Sequence, residues 1–391
     1  MIYLVHNLYH SDSFGIFRTL IRGKDVTQNE QARGPLAGLR IVEFDSLGPG
    51  PFAGMLLADM GADVLRISRD PASNPLGFDT ITRRNRRILR LDLKDGAARE
   101  TARTLCARAD VLIEGYRPGV MERLSLGPAP LLEANPRLVY ARMTGWGQAG
   151  PLAQRAGHDL NYISLTGALA AIGTAESGPV PPLNLVGDYG GGALYLVTGI
   201  LAALHERARS GKGQVIDAAM CDGAVSLMTV FHGMAAEGAW RQERAANLLD
   251  GGAPWYGVYE CADGGHVAVG AIEPQFWREL CVRIGIEDLA DADRDAPECR
   301  ERIRAELARV FRSRSRDAWA AMLENSDACV TPVLTLSEAQ DHPHLAARET
   351  FATVEGMSQP APAPRFSRTP SPSPRSAVHV SVEEAVDFWR D

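Results

Sequence analysis

The chain has 391 residues, 45% of them hydrophobic and 23% charged, which excludes wholesale disorder and leaves ample core for two or three domains. Its formal net charge of -7 argues against nucleic acid as a main partner, and no apolar run reads as a membrane span. The six cysteines form no CxxC pair and no zinc-finger pattern with His, so they read as reduced thiols of a cytoplasmic protein.

Residues 1–33 differ in pattern from the rest of the chain and read as an N-terminal extension without the h-region or cleavage site of a signal peptide. From Gly34 the pattern sharpens. Leu39 to Phe44 predicts a strand, Gly48-Pro49-Gly50-Pro51 a loop, Phe52 to Met60 a helix, and Asp63 to Ile67 a second strand. This β-loop-α-β unit is the kind that builds a parallel sheet. Gly48, Gly50 and Gly54 make GxGxxxG, not the GxGxxG of a dinucleotide site.

The run Arg83-Arg84-Asn85-Arg86-Arg87 reads either as a solvated face or as a set of guanidiniums for phosphate. Strand 88–93, helix 95–108, strand 111–114 and strand 138–143 continue the alternation, giving a Rossmann-like open α/β layout. His158, in Gly157-His158-Asp159-Leu160-Asn161-Tyr162, precedes a helix-like run. Asp188 stands at the entrance of a helix whose apolar residues recur at 194, 197, 200, 201 and 204. Three glycines, 190–192, follow it and are expected to expose backbone N–H groups to a ligand.

Strand 214–219 and a long helix over 222–237 lead to a polar linker at 240–252. Val258 to Cys261 and His266 to Val269 flank Ala262-Asp263-Gly264-Gly265, a hairpin signal. Helices dominate to about Asn325, and a strand over 328–333 completes a smaller α+β domain. From Gln359 the chain is rich in proline and extended, then ends in a helix over 381–390 expected to return to the first domain.

Several long motifs carry a resemblance. Gly34-Pro35-Leu36-x-Gly38-Leu39-Arg40-Ile41-Val42-Glu43, Gly61-Ala62-Asp63-Val64-x-Arg66-Ile67, Arg84-Asn85-Arg86-Arg87, Glu114-Gly115-Tyr116-Arg117-Pro118-Gly119-Val120, Thr144-Gly145-Trp146-Gly147 and Gly187-Asp188 resemble the class III CoA-transferase family. Within it, Gly157-His158-Asp159-x-Asn161-Tyr162 and Gly270-Ala271-Ile272-Glu273-Pro274-Gln275-Phe276 are similar to its racemase branch. The resemblance runs from about residue 34 to the C-terminus. It implies a large Rossmann-like α/β domain (34–220, completed by 360–391), a linker helix (221–256), a small α+β domain (257–335) and a return linker (336–359). It also implies an interlocked homodimer, with each active site between the large domain of one chain and the small domain of the other.

The matching positions imply roles. His158 and Asp188 match a pair of proton-transfer residues, and Glu273 matches a carboxylate that reaches His158 from the partner chain. Asp159 and Tyr162 match neighbours of that His, and Arg69, Leu91, Arg117 and Arg123 match contacts to CoA. No cofactor and no metal is implied, because CoA enters as part of the acyl-CoA substrate.

The chemistry rests on the residue types. A 2-methylacyl-CoA has one acidic hydrogen beside its thioester, and inverting that carbon needs a base on one face and an acid on the other. His158 and Asp188 supply two such groups, with Glu273 and Asp159 placed to orient the imidazole. The enolate oxygen needs donors, expected at the helix entrance around Asp188. Met143 and Met220 read as core residues first and as a tail surface second. The alternative reading is CoA transfer with Asp188 as nucleophile, for which His158 has no use; a non-catalytic acyl-CoA scaffold would leave all three ionisable residues without purpose.

Overall fold

The computed structural model describes residues 33–69 and 80–389, so the expected N-terminal extension lies outside the described residues except for Arg33. Seven parallel strands form the main sheet: β1 (Arg40–Phe44), β2 (Asp63–Ser68), β3 (Arg87–Arg90), β4 (Val111–Glu114), β5 (Val139–Thr144), β6 (Val215–Ala219) and a late strand, Val378–Val380. The spatial order is Val378–Val380, β3, β2, β1, β4, β5, β6. Register is fixed by pairs such as Val42 with Leu65 and Val42 with Leu112.

Both faces of this sheet are covered, which is why its strands read as nearly continuous apolar runs. On one face Ile41, Val64, Val111 and Ile113 pack under helix α1 (Pro49–Asp59) and under Leu196, Val197 and Ile200. On the other, Val42, Phe44, Leu65, Ile67 and Leu112 meet Ala102 and Leu105 of α2 (Gly96–Ala107), with Ala385 and Trp389 from the C-terminus. Neighbouring residues of one strand thus serve opposite cores, as a period of two requires.

Helix α3 (Asp159–Ser164) comes after the loop that leaves β5. Next is a π-helical segment, Leu185–Ala193, running straight into α4 (Leu194–Ser210). Its wider winding is seen where the Tyr189 N–H donates to the Asn184 carbonyl five residues back, at 3.2 Å. Asp188 therefore lies inside the first turn of this helix, not before it. Together Leu185–Ser210 is a 26-residue run apolar enough to cross a membrane by length and composition, contrary to the expectation that none is. Its inner face, however, is spent on the main sheet.

The glycines in that segment do a different job from the expected one. A Cβ at Gly191 would lie 2.6 Å from the Ala224 nitrogen, and one at Gly192 would lie 2.9 Å from Met220 Cγ and 3.0 Å from Pro49 Cβ. They allow close packing of the π-helix on α1 and on α5 (Met220–Leu227); the predicted long helix 222–237 is in fact α5 and α6 (Thr229–Ala236), parted at Met228.

A separate three-stranded antiparallel sheet holds β7 (Tyr256–Glu260), β8 (His266–Gly270) and β9 (Val330–Val333), so the predicted hairpin forms, with Gly264 left-handed in its turn. α7 (Pro274–Ile284), α8 (Pro297–Phe311) and α9 (Arg316–Leu323) supply its own core, centred on Trp277, Phe311 and Trp319.

The chain then returns to the main sheet. Buried Arg84 donates to Gln359 Oε1 at 2.9 Å and to the Pro360 carbonyl at 2.5 Å, while its other nitrogens hold Asp59. Val378–Val380, which is β10, pairs in parallel with β3 as the sheet edge, ahead of the terminal helix α10 (Val382–Phe388). Three of the four arginines of the run are thus spent on internal pairs, not on solvent or phosphate. Arg84 is paired to Asp59, Arg86 to Glu43 and Arg87 to Asp63, with Arg87 also 3.4 Å over the Phe388 ring. Gly54 serves the same clamp, because a Cβ there would sit 2.2 Å from Glu43 Oε2.

Candidate active site

In an open parallel sheet, ligands bind beyond the carboxyl ends of the strands, where the strand order reverses. Here β1 is followed outward by β2 and β3 on one side and by β4, β5 and β6 on the other. A cavity of about 690 Å³ opens at that point, lined from the β1 end by Ser46, Leu47 and Gly48, from the β4 end by Gly115 to Pro118, and from the β5 end by Met143 to Trp146. Its volume suits an organic ligand of moderate size.

His158, Asp159, Tyr162 and Asp188 all line this cavity. His158 is the N-cap of α3, and its backbone N–H donates to Asn161 Oδ1 at 3.0 Å. That leaves the exposed imidazole outside the helix, at the cavity. Asp159 joins the two halves of the site: its Oδ1 accepts the Asp188 backbone N–H at 2.7 Å. Gly187 makes this possible, since a Cβ there would fall 2.3 Å from the same oxygen. The Asp188 and Tyr189 N–H groups are therefore both occupied and are not the free enolate donors the sequence suggests.

The Asp188 carboxyl accepts from the Asn184 amide at 3.2 Å, and Gly48 stands behind it. Burial pushes this carboxyl above the ordinary carboxylate range; the charge of Asp159 adds to the rise, while the Asn184 hydrogen bond and His158 oppose it. Tyr162 is a buttress. Its hydroxyl donates to the Gly157 carbonyl and its ring meets Trp146 edge-on, with centroids 4.8 Å apart. Burial, and then the Asp188 charge, push its phenol upward. A Cβ at Gly145 would be 2.0 Å from this ring, which accounts for glycine there.

The profile of CoA-transferase family III matches residues 36–378. The chain belongs to that family. Among relatives of this family III chain, the alpha-methylacyl-CoA racemase of Mus musculus is 45% identical over 91% of this chain and 93% of its own. The Homo sapiens alpha-methylacyl-CoA racemase is 43% identical over 86% and 87%. Among solved structures, a CAIB/BAIF family protein from Brucella suis has a TM-score of 0.75 at 26% identity, covering 91% of this chain and 98% of that one. The family III fold, with its α/β architecture and parallel sheet, is the fold of this chain.

The other expected residues of the family III site are placed differently. Arg117 lines the cavity mouth. Arg123 is exposed in the short helix Val120–Arg123 and Arg69 is exposed just after β2, neither of them lining the cavity. The Leu91 side chain is 7% exposed and packs in the main core, and its N–H goes to the Ser68 carbonyl at 3.0 Å. Glu273 is the exposed N-cap of α7, in the smaller lobe and outside this cavity. Met143 and Met220 are 2% and 6% exposed, core residues that also show a surface to the cavity.

Sequence reasoning missed Ser46, Trp146, Tyr189 and Arg155 as site residues, and all four line the cavity. Tyr189 is stacked on Phe52 at 4.2 Å. Only the step from a strand end into a Gly-Pro turn, at Ser46, was available as a signal.

Proposed function

We propose that this chain is a racemase of 2-methylacyl-CoA thioesters, interconverting the (R) and (S) forms through an enolate. The observation that carries the reading is that His158 and Asp188, borne by separate elements, line one cavity and are joined through Asp159. The two alpha-methylacyl-CoA racemases at 45% and 43% identity support it. One group removes the α-proton from its face of the carbon and the other returns a proton from the opposite face. Burial favours the protonated form of Asp188, so in one direction His158 acts as base and Asp188 as acid, and in the other the roles exchange. CoA is held as part of the substrate, with Arg117 at the cavity mouth, and the proposed mechanism uses no other cofactor.

In this reading the working form is a homodimer in which Glu273 of the partner subunit approaches His158. Two features support it. Glu273 is exposed and lies away from the cavity of its own chain. Apolar side chains are exposed along the outer helices: Leu194 at 50% and Val230 at 58%, with Tyr195, Leu201, Val225 and Leu227 beside them. Exposed apolar side chains of this kind suit a contact with a second copy.

The test is to incubate the protein in D₂O with each enantiomer of a 2-methylacyl-CoA and no acceptor acid. Deuterium should enter the α-carbon from both enantiomers, and both should reach the same mixture. Absence of exchange together with CoA appearing on an added carboxylate would replace this reading by CoA transfer through Asp188.

A further inference from the structure

One residue at the cavity is bonded twice to the segment that carries the proposed acid. Asn184 lines the cavity four residues before Asp188, at the entrance of the π-helical segment. Its side-chain amide donates to Asp188 Oδ2 at 3.2 Å, and its backbone carbonyl accepts the Tyr189 N–H at 3.2 Å. In an α-helix that carbonyl would take the N–H four residues on, which belongs to Asp188. The wider π turn moves the bond to Tyr189 and leaves the Asp188 N–H for Asp159 Oδ1, at 2.7 Å.

The turn that delivers Asn184 is strained. Leu183, immediately before it, has φ of 58°, a left-handed conformation that is unfavourable for a bulky apolar residue. Its side chain is 75% exposed, so burial of Leu183 does not explain the conformation. Backbone strain of this kind clusters at functional sites. Here it accompanies the placement of Asn184 against the acid.

The contact makes the two carboxyl oxygens of Asp188 unequal. Oδ2 accepts the amide and stands nearer the wall, 2.8 Å from a Cβ built at Gly48 against 3.3 Å for Oδ1. Oδ1 takes no hydrogen bond from the described residues and is not sealed from the cavity that Asp188 lines. A protonated carboxyl has one O–H and one carbonyl-type oxygen, and the second is the one suited to accept an N–H. With the amide on Oδ2, the proton belongs on Oδ1, the oxygen a substrate can meet. The ionisable groups whose charge reaches this carboxyl are His158, Asp159 and Tyr162, all from the α3 side. The other elements packed on the segment put Pro49 of α1 and Met220 and Ala224 of α5 against its glycines.

We propose that Asn184 is a positioning residue for proton transfer: its amide holds Asp188 Oδ2, so that Oδ1 is the atom that exchanges the proton with the α-carbon. The inference rests on the racemase reading. When Asp188 is the base, the α C–H bond breaks, its pair stays with the substrate as the enolate, and the proton forms the Oδ1–H bond. When Asp188 is the acid, the Oδ1–H bond breaks, its pair stays on the carboxylate, and the enolate pair takes the proton to form C–H. Asn184 keeps both amide protons in either direction.

The experiment compares full-length wild type with Asn184→Leu, which removes the donor at similar volume, and with Asn184→Asp, which keeps the shape but replaces the donor by an acceptor. Deuterium exchange from both enantiomers of a 2-methylacyl-CoA is followed across a pH series, and free CoA is the probe of binding. At the pH optimum of each protein Asn184→Leu should lose about tenfold in kcat and Asn184→Asp about 10²-fold, with KM within about twofold of wild type. The amide favours the ionised form of Asp188, so its loss should also move the pH profile of kcat/KM to higher pH, further in Asn184→Asp. A packing role would not move that profile. A kcat within about twofold of wild type in both variants, a profile that stays in place or moves to lower pH, or a rise in KM with kcat unchanged overturns the proposal. Loss of CoA binding in both variants marks a structural residue and overturns it too; if one variant alone loses CoA binding, the other carries the test. A wild type that binds CoA but exchanges no deuterium from either enantiomer overturns the racemase reading, and this role with it.

Discussion

Two groups of polar side chains grow from the same central strand and are treated in opposite ways. Along β1 and β2, and in the arginine run just before β3, every buried guanidinium has a carboxylate beside it, Arg86 with Glu43, Arg66 with Asp45 and Arg84 with Asp59, although Arg86 Nε and Glu43 Oε1 make no hydrogen bond among the described residues. Arg142 of β5 does the same with Glu114 and Glu122. A few residues further on, at the cavity, the groups are unmatched. Asp188 has an amide, not a cation, on its carboxyl. Ser46 Oγ and Trp146 Nε1 have no partner among the described residues. The difference teaches how to sort polar residues in such a sheet. Where charge is neutralised internally, it locks elements together; where it is desolvated and left open, it is kept for a ligand.

The largest effect that tests this contrast is expected at the clamp. Arg86→Met leaves the buried Glu43 carboxylate with only Arg66, 3.9 Å from its Oε1, and a broken buried pair costs about 3–5 kcal/mol. Urea unfolding should show that loss, and adding Glu43→Leu to the same protein should recover a large part of it. A loss below about 1 kcal/mol would mean the clamp is no more than a surface pair in strength.

A middle-sized effect is expected where the two groups meet. Gly48 has φ of 68° and stands against Asp188. Gly48→Ala should strain the backbone by about 1–3 kcal/mol and push the carboxyl aside, lowering kcat about 10²-fold. Gly38 is the control: its φ is 88°, yet nothing lies within 4 Å of a Cβ built there. Gly38→Ala should bring the strain without the loss of exchange. Equal kcat losses in the two variants would show that Asp188 does not depend on the wall behind it.

The smallest effect is on stability and has the opposite sign. Asp188 is raised above its usual value of 3.8, chiefly by burial. Its contribution is therefore most favourable below that value and is lost as pH rises through the raised one. Asp188→Asn, neutral throughout, should melt about 2 °C above wild type at neutral pH, and the gap should close as pH falls below the usual carboxylate value. It should abolish deuterium exchange at the same time. A melting point below wild type at neutral pH would mean that the ionised carboxylate is compensated after all.

The main sheet was legible because each of its strands from β1 to β6 is a short apolar run, as a sheet buried on both faces demands. β10 was not legible, being only Val378-His379-Val380 in a stretch rich in proline and serine; what makes it a strand is the waiting edge of β3. The π-helical segment looked like a glycine-rich turn, because glycines that permit helix-to-helix contact look no different in sequence from glycines that greet a ligand. The arginine run was misread for a related reason. Asp59 lies 25 residues from Arg84 and Glu43 lies 43 residues from Arg86, so their pairing is a property of tertiary structure. His158 and Asp188 were reached through family resemblance, and their meeting at one cavity is accompanied by the 2.7 Å bond from the Asp188 N–H to Asp159, which no local pattern announces. Ser46 was passed over because a serine after a strand is ordinary until its hydroxyl is found without a partner.

The last strand of the main sheet has a consequence for how the protein is made. β10 closes on β3 late in the chain, and the bond from Arg375 N–H to Asn85 Oδ1 that accompanies it spans 290 residues. A nascent chain on the ribosome can assemble β1 to β6 early, but the free side of β3 stays open until residues 378–380 have emerged. During that interval an unpaired strand edge is exposed to any other chain being translated nearby. Completion of this sheet thus waits for the synthesis of residues 378–380, some 290 residues after the strand they cover.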